Sequence, residues 1–358
     1  MESKSRQFGI RDVLSPDFVP PKAPERKRVP RFVKPEKMRA VYCERHGGPE
    51  VLVVKELPWP EAPGPGEVKV QLWARSVSFV DLLQIAGKYQ VQPPLPFIPG
   101  NEASGLILEV GEGVTQFKPE DAVLCPGGWV EEVILPASRV LHAPWNIGHE
   151  LRSALRANYT TAYYGLQRGR IAPGETLLVH GAAGGVGLAA VDLGKLFGAT
   201  VIATGGSDEK LEVVKQKGAD HVINNTRGGF REQVKELTGG RGADVIFDPV
   251  GGAVFDESMR CVAPMGRILV VGFAGGEAAV AKTNHLLIKD AEVIGFTIGA
   301  LSRHDPQRAA KNLQQLIRWV ESEHIRPYCS HYLPLTSAAE ALALVRDRKV
   351  IGKAVLIS

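Results

Sequence analysis

Cysteine is scarce in this chain. The 358 residues hold four, Cys43, Cys125, Cys261 and Cys329, far apart and with no C-x-x-C pair. That excludes a disulfide framework and a cysteine-built metal cluster, and it suits a reduced, cytoplasmic compartment. Long apolar runs are also missing, since none reaches the roughly 18 residues of a membrane span. Neither sign of charge dominates. Lys and Arg number 43 against 39 Asp and Glu, and a net +4 is too small an excess to imply a nucleic-acid partner. Hydrophobic residues at 44 % and charged residues at 23 % are ordinary for a globular chain, and the length suffices for two domains with substantial cores.

Residues 1–37 differ from the rest. They contain ten Lys or Arg, five Asp or Glu and six prolines, with little apolar periodicity. Prolines at this density forbid a long helix, and there is no apolar core of a secretory signal. The segment reads as an extended basic, Pro-rich arm. Its Arg26-Lys27-Arg28 run is either a solvated tail or a contact for an anionic partner. The globular pattern starts at Met38, which also reads as an alternative start.

From Met38 to about residue 144 the pattern is all-β. Short strands are expected at Val51–Val54, Glu67–Ala74, Ser104–Val110, Ala122–Cys125 and Glu131–Leu135, separated by Pro and Gly turns. One helical insertion, Ser78–Ala86, precedes Gly87-Lys88-Tyr89. A partly open β-barrel follows from such a pattern. After about residue 148, strands and helices alternate. Strands are expected at Thr176–His180, Thr200–Thr204, His221–Asn224, Ala243–Asp248, Arg267–Val271 and Val293–Thr297. Alternation of this kind gives a parallel sheet with helices on both faces, and ligands bind at the carboxyl ends of its strands. After Ala300 come a helix at Asp305–Glu323, a strand near Ser330–Leu333, a helix at Ser337–Arg346 and a strand at Lys353–Ile357. These last segments are expected to return to the β-barrel, so that residues 38–155 and 300–358 form one domain and 156–299 the other. The apolar stretch Val293–Ile298 reads as a sheet edge that needs covering, and a homodimer is expected.

The most informative stretch runs from Thr176 to Lys210. An apolar strand leads into Gly181-Ala182-Ala183-Gly184-Gly185-Val186-Gly187, then a helix, then a second strand ending in Gly205-Gly206-Ser207-Asp208-Glu209-Lys210. In a dinucleotide site one glycine makes the turn, one admits the pyrophosphate to backbone N–H groups, and one lets the helix pack close to the strand. A glycine-rich structural turn is the alternative. An NAD site carries Asp or Glu at the end of the second strand to hold the ribose 2′-OH. Here Gly205 stands there, followed by Ser207 and Lys210, a hydroxyl and a cation suited to a phosphate monoester. NADPH is therefore expected, although Lys210 beside Asp208 and Glu209 also reads as a solvated helix start. Two later glycine segments, Asp248–Gly252 and Val271–Gly276, fall at strand ends. Their Val250, Gly272, Phe273 and Ala274 either approach the nicotinamide half or form turns alone.

Pro99-Gly100-x-Glu102-x-x-Gly105, Thr161-Ala162-Tyr163, the glycine turn, Gly205–Lys210, and Gly352-Lys353 before the last strand together resemble the medium-chain dehydrogenase/reductase superfamily. The similarity is to its zinc-independent quinone oxidoreductase branch, over about Met38 to Ser358. Pro93-Pro-Leu-Pro-Phe, Gly206-Ser-Asp-Glu-Lys and Val271-Gly-Phe-Ala-Gly-Gly276 narrow it to the quinone oxidoreductase-like protein 2 group. The resemblance implies a Rossmann doubly wound parallel sheet plus a GroES-like, partly open β-barrel domain. Zinc-dependent relatives place Cys, His and Cys where this chain has Ser78, Asn101 and Ala157, a set unfit for a Zn²⁺ tetrahedron, so no metal is expected.

The implied activity is NADPH-dependent reduction of a quinone or another electron-poor α,β-unsaturated carbonyl. Reduction of an enoyl-thioester or alkenal double bond is the alternative, and an NADPH-binding protein with little turnover is a third. Tyr89 falls where relatives carry a cleft tyrosine, as proton donor, orienting hydroxyl or wall. Ser78 is the other catalytic candidate, able to bond a substrate oxygen. Relatives often have Tyr and Arg where this chain has Leu83 and Ile85, which implies a greasier acceptor. The resemblance also places Thr161 near the nicotinamide, Asn225 near the adenine side, Arg348 near the 2′-phosphate and Lys353 at the cofactor.

Overall fold

A computed structural model of the chain describes residues 35–358. The expected N-terminal arm, through residue 34, lies outside the described residues. The chain divides into two compact units. One comprises residues 35–157 with Pro327–Ser358, and the other Asn158–Arg326.

The first unit opens with β1 (Met38–Cys43) and β2 (Leu52–Leu57), an antiparallel pair in the register Met38 to Leu57. The long β3 (Glu67–Val77) leads into the short helix α1 (Phe79–Ile85). Four strands follow: β4 (Ala103–Val110), β5 (Ala122–Cys125), β6 (Glu132–Pro136) and β7 (Leu141–His142). Helix α2 (His149–Arg152) precedes α3 (Arg156–Arg168), at whose start the second unit begins.

In the second unit β8 (Thr176–Val179), α4 (Gly185–Leu196), β9 (Thr200–Gly205), α5 (Asp208–Gln216), β10 (His221–Asn224), α6 (Phe230–Leu237), β11 (Ala243–Asp248), α7 (Gly252–Cys261) and β12 (Val262–Val270) alternate. They are followed by α8 (Thr283–Lys289), β13 (Glu292–Gly295), α9 (Ile298–His304) and α10 (Pro306–Glu321). The six strands form one parallel sheet in the order β10-β9-β8-β11-β12-β13. The reversal between β8 and β11 opens a crevice at the strands' carboxyl ends, as in every doubly wound sheet. Strand interiors read Leu-Leu-Val, Val-Ile-Ala and Val-Ile-Phe because both sheet faces are covered by helices. Leu178, Ile202, Ile246, Phe255 and Ile268 form the core of this unit, all buried.

The chain then returns to the first unit with β14 (Cys329–Pro334), α11 (Ala338–Arg346) and β15 (Lys353–Ile357). Its larger sheet runs β14-β15-β3-β4-β5-β7, with β6 paired to β3, so β3 bonds three neighbours in turn along its eleven residues. Val68, Val70, Leu72, Ile107 and Val123 fill one core, and Val41, Ile85, Trp129, Leu342 and Leu356 a second.

The element types match the sequence reading closely, but some elements, among them β1, β7 and α9, and one domain boundary differ. The strand β1 was not anticipated; its antiparallel partner β2 satisfies its backbone. The helix expected at Asp305–Glu323 is present as α10, where the Asp305 side chain accepts the Arg308 N–H (3.0 Å) and Pro306 occupies the first helical position; the helix α9 before it was not anticipated. The domain expectation is corrected for residues 300–326. These belong with the parallel sheet, where Trp319 of α10 packs on Tyr163 and Phe197 at centroid distances of 5.0 and 5.7 Å.

Candidate functional site

In the parallel-sheet unit β8 runs into His180 and the glycine turn. Gly181 takes φ +55°, a left-handed conformation natural to glycine. Gly184 then caps α4 with no side-chain bond, and Leu188 N–H is the first to reach back to Gly184 C=O, at 2.9 Å. The N–H groups of Gly185, Val186 and Gly187 therefore have no acceptor within the helix. A Cβ on Gly187 would lie 2.4 Å from Gly181 O and 2.8 Å from Ala182 Cα, so the helix rests directly on the turn's backbone. Ala182 and Ala183 are buried there. A Cβ on Gly185 would meet the carboxamide nitrogen of Asn158 at 2.4 Å. Asn158 was not singled out from the sequence. It shares a face of α3 with Thr161, three residues on.

His180 is a second residue that sequence reasoning missed. It is fully buried, with Nδ1 2.8 Å from Thr204 Oγ1 and Nε2 2.8 Å from Ser258 Oγ. Ser258 gives its own proton to Val254 C=O (2.7 Å). It must then accept from Nε2–H, and because burial disfavours the charged ring, Nδ1 is left as the acceptor. Burial drives its pKa down to about 3. A strand-end histidine beside a glycine turn carries no pattern; only the three-dimensional neighbours reveal that it ties β8 to β9 and α7.

The ends of β9 and β10 lie side by side, with Asn224 opposite Gly205. This brings Gly205, Gly206, Ser207, Lys210 and Asn225 into one neighbourhood. Asn225 Oδ1 lies 3.9 Å from the position of a Cβ on Gly206. Burial lowers the Lys210 pKa, and neighbouring Glu209 opposes the shift. At the next strand end, buried Asp248 accepts N–H bonds from Val250 (2.8 Å) and Gly251 (3.0 Å), and desolvation raises its pKa against those bonds. Ala274 N–H and Gly275 N–H bond Pro249 and Val250 C=O, each at 2.9 Å. Val250, Gly272, Phe273 and Ala274 thus sit in two loops laced together, with the Phe273 side chain exposed.

In the β-rich unit Ser78 caps α1. Its N–H and its hydroxyl both donate to Asp81 Oδ2, at 2.7 and 2.6 Å, and its oxygen accepts Asp81 N–H. Asn101 Nδ2 donates to Asp81 Oδ1 (2.8 Å) and Gln84 Oε1 (3.0 Å). Glu102 accepts from Ala157 N–H at 3.1 Å. Asp81 and Glu102 are buried; desolvation raises both pKa values and the charge of Lys353 counters the shift at each. Lys353, expected at the cofactor, is itself only 4 % exposed and serves as countercharge to these carboxylates. The Ser78 hydroxyl, expected to bond a substrate oxygen, donates to Asp81 Oδ2 instead. Tyr89, beyond α1, is half-buried and its hydroxyl holds no hydrogen bond among the described residues. Arg348 follows α11 in an exposed turn at φ +55°.

These positions do not suit zinc. Ser78 and Asn101 are committed to Asp81, and Ala157 offers no side-chain ligand. Among the described residues no group of three His, Cys, Asp or Glu side chains converges for a metal.

A doubly wound parallel sheet with a glycine turn resting under a helix N-terminus defines the Rossmann class of dinucleotide-binding folds. Comparison with known proteins is specific. Residues 185–318 match the zinc-binding dehydrogenase family model and residues 64–145 the alcohol dehydrogenase GroES-like domain model. The chain is 40 % identical to a quinone oxidoreductase-like protein 2 homolog of Nematostella vectensis, over 89 % of this chain and 88 % of that one. Among solved structures, a probable oxidoreductase from Mycobacterium abscessus aligns with a TM-score of 0.82 at 37 % identity, covering 91 % of this chain and all of that one. Escherichia coli quinone oxidoreductase, solved with NADPH, aligns with a TM-score of 0.81 at 29 % identity over 89 % of this chain and all of its own. The chain belongs to the quinone oxidoreductase branch of the medium-chain dehydrogenase/reductase superfamily.

Proposed function

We propose that the protein is an NADPH-dependent, zinc-independent reductase of a quinone or other electron-poor α,β-unsaturated carbonyl. The observation that carries the cofactor choice is the end of β9. Gly205 and Gly206 present no carboxylate to repel a 2′-phosphate, and Ser207 and Lys210 answer it with a hydroxyl and a cation. The N–H groups of Gly185, Val186 and Gly187 receive the pyrophosphate, and the loops carrying Val250 and Phe273 border the nicotinamide half. NADPH, when bound, supplies a hydride.

The chain's own task is then to orient the acceptor, exclude water and deliver one proton. Tyr89 is the candidate donor, since its hydroxyl is uncommitted among the described residues. Ser78 and Asn101 become positioning residues through Asp81. Ser78, Asn101 and Ala157 do not make a zinc site that would stabilise an alkoxide, so reduction of a conjugated acceptor is favoured over alcohol oxidation. Four buried, unpaired cysteines fit a reducing compartment such as the cytoplasm. Among the described residues no helix is long and apolar enough to cross a membrane. Strand β13 forms the sheet edge, and Leu287 and Ile288 of α8 are 83 % and 80 % exposed, which favours a homodimer. Light scattering tests that directly by the mass in solution.

The decisive assay is NADPH oxidation with 1,4-benzoquinone, 9,10-phenanthrenequinone, a 2-alkenal and crotonyl-CoA, each repeated with NADH and with EDTA. Quinone turnover that resists EDTA, is much slower with NADH and falls in Tyr89→Phe supports the proposal. Turnover confined to the alkenal or the thioester replaces it with double-bond reduction.

A further inference from the structure

The neighbourhood at the end of β9 contains an arginine that the cofactor argument has not used. After β10 the chain makes a single 3-10 turn, Asn225–Arg227, alongside Gly206 and Ser207. Asn224 builds the turn. Its Oδ1 accepts from Thr226 N–H (3.1 Å) and Thr226 Oγ1 (2.6 Å), while its Nδ2 donates to Asp208 Oδ1 (2.8 Å). A Cβ on Gly206 would lie 3.6 Å from Thr226 Cγ2, so the turn lies against the glycine backbone. The Arg227 guanidinium ion-pairs with Asp208 Oδ2. Asp208 is the first residue of α5, directly after Ser207.

Charge makes this arrangement informative. The first turn of α5 carries two carboxylates, Asp208 and Glu209, next to the group that would receive a phosphate dianion. Lys210 alone does not offset them. The Arg227 and Asp208 side chains are 72 % and 61 % exposed, and an ion pair so exposed contributes little to folding. It is instead a guanidinium held, by a turn of fixed geometry, within reach of the Ser207 end of β9. A planar guanidinium grips phosphate through two parallel N–H bonds, which a lysine cannot do.

We infer that Arg227 is a specificity-determining residue that binds the 2′-phosphate of the dinucleotide, drawing on the Asp208 ion pair as its resting partner. The inference rests on the NADPH reading above and adds to it a residue and its mode of contact. Asp208 then orients the fork in the absence of nucleotide, and Asn224 keeps Asp208 in place.

The test uses the full chain and isothermal titration with 2′,5′-ADP and 5′-AMP, which differ by the 2′-phosphate alone. Arg227→Ala is expected to weaken 2′,5′-ADP about tenfold and leave 5′-AMP within about twofold. Arg227→Lys should recover only part of the loss. The double variant Asp208→Asn/Arg227→Ala separates contact from mere neutralisation. If Arg227 touches the phosphate, the double variant stays weak. Full recovery of 2′,5′-ADP affinity in the double variant overturns the inference, as does an equal loss for both nucleotides or no loss for either. A parent protein that binds the two nucleotides equally removes the NADPH reading itself, and the inference with it.

Discussion

Placing a carboxylate at the end of β9 should convert the cofactor preference, and the structure allows the size of the effect to be worked out. In Gly205→Asp the backbone needs no rearrangement, because Gly205 is not among the left-handed glycines. Its new Cβ meets Leu211 Cδ2 at 3.0 Å and Cγ at 3.3 Å, the end of a side chain that can shift by a few tenths of an ångström. Any such strain weakens both dinucleotides alike. The electrostatic part does not. At about 5 Å and an effective dielectric constant of about 40, each pair of unit charges repels by about 1.7 kcal/mol, so a phosphate of charge about −1.5 to −2 loses about 3 kcal/mol. NADH instead gains a charge-assisted hydrogen bond from its 2′-OH, about 1.5 kcal/mol. The ratio of NADPH to NADH affinity should therefore fall by about three orders of magnitude. Quenching of intrinsic tryptophan fluorescence on titration with each dinucleotide reads both constants. If the ratio moves less than about tenfold, the ribose is not recognised at this strand end and the assignment of Gly205 is wrong.

Two further outcomes follow from buried groups. His180 is held neutral with a pKa of about 3, below its value near 6.5 in the unfolded chain. The unfolded state takes up the proton first, so this contribution to stability is intact above pH 6.5 and is lost progressively as pH falls toward 3. At pH 5 the loss is about 2 kcal/mol. Urea unfolding of the wild type and His180→Gln at pH 7 and pH 5 should show a shallower pH dependence in the variant; parallel slopes would mean that His180 is not buried neutral. Gly187→Ala drives a methyl group into the Gly181 carbonyl, a backbone atom that cannot step aside. It should cost about 1–3 kcal/mol and lift α4 off the turn. A melting temperature and NADPH affinity both unchanged would refute the close approach.

Much of this protein is written locally. The alternation of apolar strands and helices specifies a parallel sheet, since a strand buried on both faces must be apolar throughout, as Leu177-Leu178-Val179 and Val245-Ile246-Phe247 are. The glycine turn is likewise local, because it is the backbone's requirement at single positions. What the sequence could not show was how side chains distant in the chain satisfy one another. The Ser78 proton goes to Asp81, and Lys353 serves Asp81 and Glu102, because burial makes an unpaired charge costly and the fold brings these residues together from separate strands and a helix. His180 becomes a neutral clamp only when Thr204 and Ser258 arrive on either side. Residues 300–326 join the parallel sheet through Trp319, a partner no periodicity reveals. Arg227 meets Asp208 because parallel pairing of β9 and β10 sets their ends side by side. Backbone demands are local and survive in the sequence; charge and hydrogen-bond balance is a property of the packed interior, and only the tertiary structure decides it.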